Sequence, residues 1–439
     1  MKFYDRNSEL NALLKLYGQT KEGAKMSVLT GRRRVGKTML SLEFVRNHKF
    51  IYLFVSKKSE SLLCIEYLEE IRRVFDVPVI GEIRKFKDIF SLLLEISTKE
   101  NFTLIIDEFQ GFFAINQAVY SEMQHLWDIN KNRSKLNLIL IGSIYSLMHK
   151  IFQNAKEPLF QRADRIFFIK PFTIKHISRI LGDYGINDLK TLFDYYVFTG
   201  GIPRYIEMLV TNSASSYNHI VDFILEANSP FLNEGKNLLI EEFGKEYGIY
   251  FSILELISAG KTARTEIESI LERNIGGYLD RLEKDYSIIS KHKPINAKPN
   301  SRLQKYFITD NFLNFWFRFL YRNYSAIETE NFGYIKTLLK RDYLTYCGRI
   351  LEKFYHELFA GTGKYNRIGS YWEKGNQNEI DLVAVNDMKK EIVVAEIKMN
   401  PSRIKTGLLK QKSQRLLANY PEYRPKWIGL SLKDAVKYL

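Results

Sequence analysis

Short, near-continuous apolar runs punctuate the first 170 residues, and stretches of helical period separate them. Met26 to Leu29, Phe102 to Ile106 and Leu136 to Ile141 are runs of the kind that fill strands buried on both faces, as in a parallel sheet. Between them, Thr38 to Arg46 sets Leu40, Phe44 and Val45 at helical spacing. From Phe172 to about Phe231 helical periods dominate, broken by a GGIPR turn, which predicts a bundle of helices. Tyr250 to Thr309 predicts helix, turn, helix, a third helix from about Asn274 to Lys284, and two β-like segments, Ser287 to Lys291 and Lys305 to Ile308: the order of a winged helix. The aromatic stretch 309 to 321 repeats Phe312, Phe315, Trp316, Phe319 and Leu320 at helical spacing, which marks a buried face rather than a platform for bases. Near the end, Arg367 to Glu373, Glu379 to Val385 and Glu391 to Lys398 predict three strands.

Composition narrows the class. A chain of 439 residues, 45% hydrophobic and 26% charged, is too long for one ordinary core and too apolar to be disordered. Its longest uncharged apolar run, Leu136 to Met148, is shorter than the ~18 to 20 residues that span a bilayer, so no membrane segment is expected. The first ten residues carry charges and no apolar core, unlike a secretory leader. Cys64 and Cys347 stand far apart without metal-ligand spacing, which suits a reducing cytoplasm and argues against structural zinc. The excess of 65 Lys and Arg over 50 Asp and Glu, a net charge of +15, points to polyanionic partners, DNA foremost among them.

The candidate chemistry begins at GRRRVGKT, residues 31 to 38, between an apolar strand and a helix. That context is what a Walker A loop requires: Gly31 and Gly36 let the backbone, through Arg34 and Val35, turn its amides toward phosphate. Lys37 reaches the β- and γ-phosphates of ATP, and Thr38 offers a hydroxyl to Mg²⁺. LIIDEF then ends a buried strand on two carboxylates, Asp107 to hold Mg²⁺ and Glu108 to polarise the attacking water. A third strand ends in Gly142 and Ser143, whose hydroxyl is suited to sensing the γ-phosphate.

Further motifs follow in a recognisable order. FYDRNSELNALL, with Phe3, Arg6, Glu9 and Leu10, precedes the loop; IIDEFQ, GSIYSLM, PLFQRADRIFFIKPF and TGGIPRY succeed it. With these the chain resembles the archaeal-type ATPase family, a branch of the AAA-like P-loop proteins close to the STAND NTPases. The resemblance implies that Pro203 lies against the nucleotide, and the run of helical periods from Phe172 reads as a lid over it. It also implies that Arg162 acts as a finger or sensor, either in its own subunit or, in a homo-oligomer, in a neighbour's.

In the C-terminal region Asp381 lies on one predicted strand, and Glu396 and Lys398, two apart, share a face of the next. Two carboxylates can bind Mg²⁺ while a lysine orients water against a phosphodiester. The set resembles the PD-(D/E)xK restriction-endonuclease-like fold, in which Glu352 of GRILEKFYHELF matches the acidic position on the preceding helix and joins Asp381 and Glu396 as a metal ligand. Eight basic residues between Lys398 and Lys426, against Glu422 alone, suit such a substrate. In the winged helix, Tyr278, Arg281 and Lys284 are the expected groove-facing residues, and Lys291, Lys293, Lys298 and Arg302 make a basic wing.

The reading is thus an α/β protein: a P-loop ATPase core over 1–171, a helical lid over 172–235, a winged-helix-like domain with the aromatic helix over 236–325, and a restriction-endonuclease-like domain over 326–439. Its expected activity is ATP hydrolysis coupled to DNA binding and cleavage in the cytoplasm. The alternative is a STAND-like switch whose C-terminal domain only binds nucleic acid or a partner protein.

Overall fold

The computed structural model describes residues 1–76 and 81–439. It divides into two compact units, Met1–Pro171 and Phe172–Leu439.

The first unit is built on a parallel sheet of β1 (Lys25–Thr30), β2 (Phe50–Phe54), β3 (Phe102–Asp107), β4 (Leu136–Ile141) and β5 (Arg165–Phe168), in the order β2-β3-β4-β1-β5. β3 and β4 are buried at every position, as their unbroken apolar runs require. One side-chain set from the strands, including Met26, Val28, Leu104, Ile106, Leu138 and Leu140, packs with Leu63, Phe86, Phe90, Leu93 and Trp127 of the flanking helices into a single core. The strand that precedes the glycine-rich loop and the strand that ends in Asp107 both flank β4, so their carboxyl ends, and the loops that follow, rise on one side of the sheet.

The second unit opens with the helices Ile174–Asp183, Leu189–Thr199, Pro203–Thr211, Tyr217–Ile224 and Pro230–Phe243. Three more, Tyr247–Ser258, Arg264–Leu271 and Gly276–Lys284, lead into an antiparallel ribbon of β6 (Ile289–His292) and β7 (Lys305–Ile308). The aromatic stretch is core, over an arc wider than one narrow face. It runs as Asn311–Phe315 and then a π-turn, Trp316–Leu320. Phe315, Trp316, Phe317, Phe319 and Leu320 are all buried, and at ~100° per residue they cover an arc of about 200°, with half-buried Arg318 on the remaining side. Trp316 donates its indole N–H to the Leu232 carbonyl at 2.8 Å, which satisfies the one polar atom it buries.

A helix of 30 residues, Phe332–Gly361, follows, and then a sheet in the order β11-β10-β9-β8, with β8 (Arg367–Tyr371), β9 (Ile380–Asn386), β10 (Glu391–Ile397) and β11 (Arg424–Leu430). β10 and β11 are parallel and the other pairs antiparallel. The long helix touches both halves of the unit. Tyr343 bonds Asp194 at 2.6 Å and Phe354 packs edge-on against Phe193 and Tyr196, while Tyr355 bonds the Ser431 carbonyl and His356 the Asp381 carbonyl. The further predicted boundaries, at 235 and 325, therefore lie inside one compact unit.

The ribbon loop is also engaged. The Ile295 amide donates to the Ser370 carbonyl of edge strand β8 at 2.9 Å, Tyr420 donates to Asn296 at 2.5 Å, and Lys305 pairs with Glu379 at 2.7 Å over the ring of Trp372. Among the described residues no helix is long and apolar enough to cross a membrane.

Candidate functional sites

The loop after β1 has the backbone its glycines foretell. Gly31 takes φ 141°, and a Cβ there would stand 2.5 Å from the Ile169 carbonyl oxygen; Gly36 takes φ 90° at the start of the helix Lys37–Val45. Arg34 shares the left-handed region, at φ 68°. Val35 is fully buried and its carbonyl accepts from Arg6 at 3.3 Å, while the same guanidinium donates to the Lys170 carbonyl at 2.6 Å. Arg6 thus ties the loop to the far end of the unit, a role its place in the N-terminal motif did not disclose.

Lys37 is buried and folds back over the loop, donating to the carbonyls of Gly31 at 2.9 Å and Arg32 at 2.8 Å. Thr38, although 69 positions away in sequence, donates its hydroxyl to Asp107 Oδ2 at 2.7 Å. Asp107 Oδ1 accepts the Glu108 amide at 2.8 Å. Glu108 lies at φ 53°, turned out of the strand, and its Oε2 receives Ser143 Oγ at 2.8 Å and the Gln110 side-chain amide. The three strand ends therefore bring together Thr38, Asp107, Glu108 and Ser143.

Tyr52 and Gln110 are the residues that motif reading missed. The Tyr52 hydroxyl donates to Asp107 Oδ2 at 2.7 Å, and burial together with that carboxylate drives its pKa well upward, so it stays a neutral donor. The available signal for Tyr52 was a lone hydroxyl in the otherwise apolar FIYLF; for Gln110 it was an amide two positions after Glu108. Arg162 bonds Asp128 at 3.1 Å and the Phe160 carbonyl at 3.0 Å, both within its own unit. Pro203 occupies the first turn of its helix, after Gly200 and Gly201 at φ 58° and 78°.

In the second unit, the β9–β10 register, continued one step from Ala395↔Leu382, sets Glu396 opposite Asp381, so the two point to the same face. Asp381 Oδ2 accepts Lys398 Nζ at 2.8 Å and the Ile397 amide at 2.7 Å. Glu396 Oε2 accepts the Lys405 amide at 2.9 Å, and Lys412 stands 4.0 Å from Oε1. Glu352 senses the same cluster: burial first, and then the Asp381 charge, raise its pKa against the opposing effect of Lys398. Burial, the largest single effect, works against a charged Lys398, but its bond to Asp381 and the charges of Asp381, Glu352 and Glu396 together outweigh this and hold the ammonium above its ordinary pKa. Among the described residues no group of three or more His, Cys, Asp or Glu is gathered to hold a metal ion, so Glu352, Asp381 and Glu396 are not a ready-made three-carboxylate site.

The expected groove-facing cations are largely paired. Arg281 meets Glu246 at 3.1 Å, Lys284 meets Asp280 at 3.8 Å, Lys291 meets Glu283 at 3.1 Å, and Lys293 bonds the Pro299 carbonyl. Tyr278 packs edge-on against Tyr250.

Comparison with known proteins gives the site its setting. Residues 3–209 match a family described as an ATPase domain predominantly from Archaea, and residues 316–413 match one described as archaeal and bacterial proteins of unknown function. The Walker-type ATPase Paby2304 of Pyrococcus abyssi superposes with a TM-score of 0.56 at 17% identity, over 72% of this chain and 96% of that one, which shows a common fold. An uncharacterized protein of Methanocaldococcus jannaschii is 30% identical over 406 residues, 90% of this chain and 87% of the relative. The chain belongs to the family of this archaeal relative, and its N-terminal half is an archaeal-type P-loop ATPase domain.

Proposed function

We propose that the chain binds ATP with Mg²⁺ at the Gly31–Thr38 loop, hydrolyses it with Glu108 as base, and uses the cycle to control a DNA-engaging second unit. The observation that carries the first part is the meeting of Thr38 with Asp107 and of Ser143 with Glu108 at the carboxyl ends of adjoining strands. The donor set fits the group it would hold. A buried lysine now satisfied by loop carbonyls has an ammonium to offer phosphate, and a hydroxyl and carboxylate already in contact are the hard oxygen ligands Mg²⁺ prefers. Bound there, the ion would neutralise phosphate charge. Glu108, near Ser143, would take the proton of water, and the paired Arg162 would have to leave Asp128 to serve as a finger.

For the second unit, the facing of Asp381, Glu396 and Lys398 supports a restriction-endonuclease-like reading with phosphodiester cleavage, and the three helices with their ribbon support a winged helix. The two carboxylates fit Mg²⁺ as oxygen donors, Glu352 beside them, with Lys398 to orient water. A second reading is favoured by a specific observation: Asp381 and Glu396 are each already held by donors of the chain, an arrangement equally suited to a domain that only binds nucleic acid or a partner protein. Plasmid nicking with Mg²⁺ or Mn²⁺ separates the two. Nicking by the wild type that disappears in Lys398→Ala, with ATP hydrolysis retained, supports cleavage; equal nicking by both exposes a contaminant, and none by either leaves the binding reading.

A further inference from the structure

The Walker carboxylate has one more partner than its motif accounts for. Asp107 Oδ2 receives two hydroxyls at the same distance, 2.7 Å, one from Thr38 on the loop side and one from Tyr52 on the neighbouring strand. Its other oxygen accepts the Glu108 amide. The β2–β3 register explains how Tyr52 arrives there: it pairs with Ile105, two residues before Asp107, and its ring is long enough to carry the hydroxyl forward to the strand end. A carboxylate on one torsion can rotate so as to present either oxygen. With donors fixed on two sides it cannot rotate without breaking a charge-assisted bond.

We infer that Tyr52 is a positioning residue of the ATPase site: its hydroxyl locks the Asp107 carboxylate in the orientation that receives the divalent ion of an ATP complex. The inference rests on the ATP and Mg²⁺ reading above. In this reading Tyr52 acts through Asp107, the residue its hydroxyl meets. Because it is a neutral donor, it leaves the charge of Asp107 available to the metal while fixing where that charge points.

Full-length protein tests this with a fluorescent ATP analogue, titrated with Mg²⁺ and, separately, bound in EDTA. Tyr52→Phe deletes one oxygen and keeps the ring. A hydrogen bond to a charged group is worth enough to raise the half-saturating Mg²⁺ concentration about ten-fold. Analogue binding in EDTA and the melting temperature should stay at the wild-type values. In an Asp107→Ala background the same substitution should change nothing further, since the group it acts through is gone. An unchanged Mg²⁺ midpoint in Tyr52→Phe overturns the inference, as does an equal loss of binding in EDTA or an effect that persists in Asp107→Ala. A wild type without any Mg²⁺ dependence overturns it together with the Mg²⁺ reading, and that failure is visible before any variant is made.

Discussion

In the proposed site, Lys37 and Glu108 should separate binding from turnover. Lys37→Ala removes the ammonium that would meet the β- and γ-phosphates, so nucleotide binding should be lost. Glu108→Gln keeps the shape and the contact with Ser143 but cannot take a proton; binding should persist while phosphate release falls by about 10² to 10⁴-fold. Nucleotide titration and phosphate release on both variants check this, and normal release in Glu108→Gln would remove it from the role of base. A different carboxylate sets a pH dependence. Asp194 is buried, which pushes its pKa up to about 6 even though Tyr343 donates to it. The native protein therefore holds a proton that the unfolded chain, with an Asp near ~3.9, gives up earlier. Stability from this group falls as pH rises from about 4 through 6 and stays low above. Asp194→Asn, which keeps an acceptor for Tyr343, should be more stable than wild type by about 1 kcal/mol at pH 8, with the difference gone below pH 4 in urea melts.

Among the elements, the GGIPR turn is the one most exposed to a single added carbon. Gly201 combines φ 78° with a Cβ position 2.2 Å from the Phe172 carbonyl oxygen, and its own carbonyl accepts the Phe172 amide at 2.8 Å. Gly201→Ala must both strain the backbone and open that bond, so it should cost about 2 kcal/mol or more, read as a lower denaturation midpoint. Gly185→Ala, with open space around its Cβ, is the control for φ alone. How far these elements were legible follows from how local their causes are. β3 and β4 were plain because their burial on both faces writes itself as an unbroken apolar run. Walker residues were plain because each motif carries its own turn and helix start. β11 was not: Arg424–Leu430 puts Arg424 and Lys426 on an exposed edge, and its pairing to β10 is a long-range fact. The long helix was seen only in its GRILEKFYHELF segment, since its first half owes its burial to the aromatic partners Phe198 and Tyr217, more than a hundred positions upstream. Tyr52 escaped for the same reason; its meaning lies on the neighbouring strand.

For the whole molecule, a net charge of +15 predicts DNA binding that weakens steeply with salt, because released counterions drive it. Fluorescence anisotropy between 50 and 200 mM salt should show a loss of roughly 10²-fold or more. Binding absent at low salt, or flat across the range, would sink the nucleic-acid reading. Since Arg281, Lys284 and Lys291 face carboxylates, as do Lys398, Lys412 and Arg415, the steepness should come more from Arg403, Lys405, Lys410, Arg424 and Lys426 than from those six. The helix Phe332–Gly361 adds a constraint on how such a protein can change over time. At ~1.5 Å per residue it runs about 45 Å, and it keeps Tyr343 against Asp194 and Phe354 against Phe193 along one stripe. A single residue inserted between them, even at exposed Leu344, would turn everything downstream by ~100° and carry Glu352 and His356 away from the strand they face. Surface loops in this chain can lengthen freely, but this rod has a phase, and its length can drift only in steps close to whole turns.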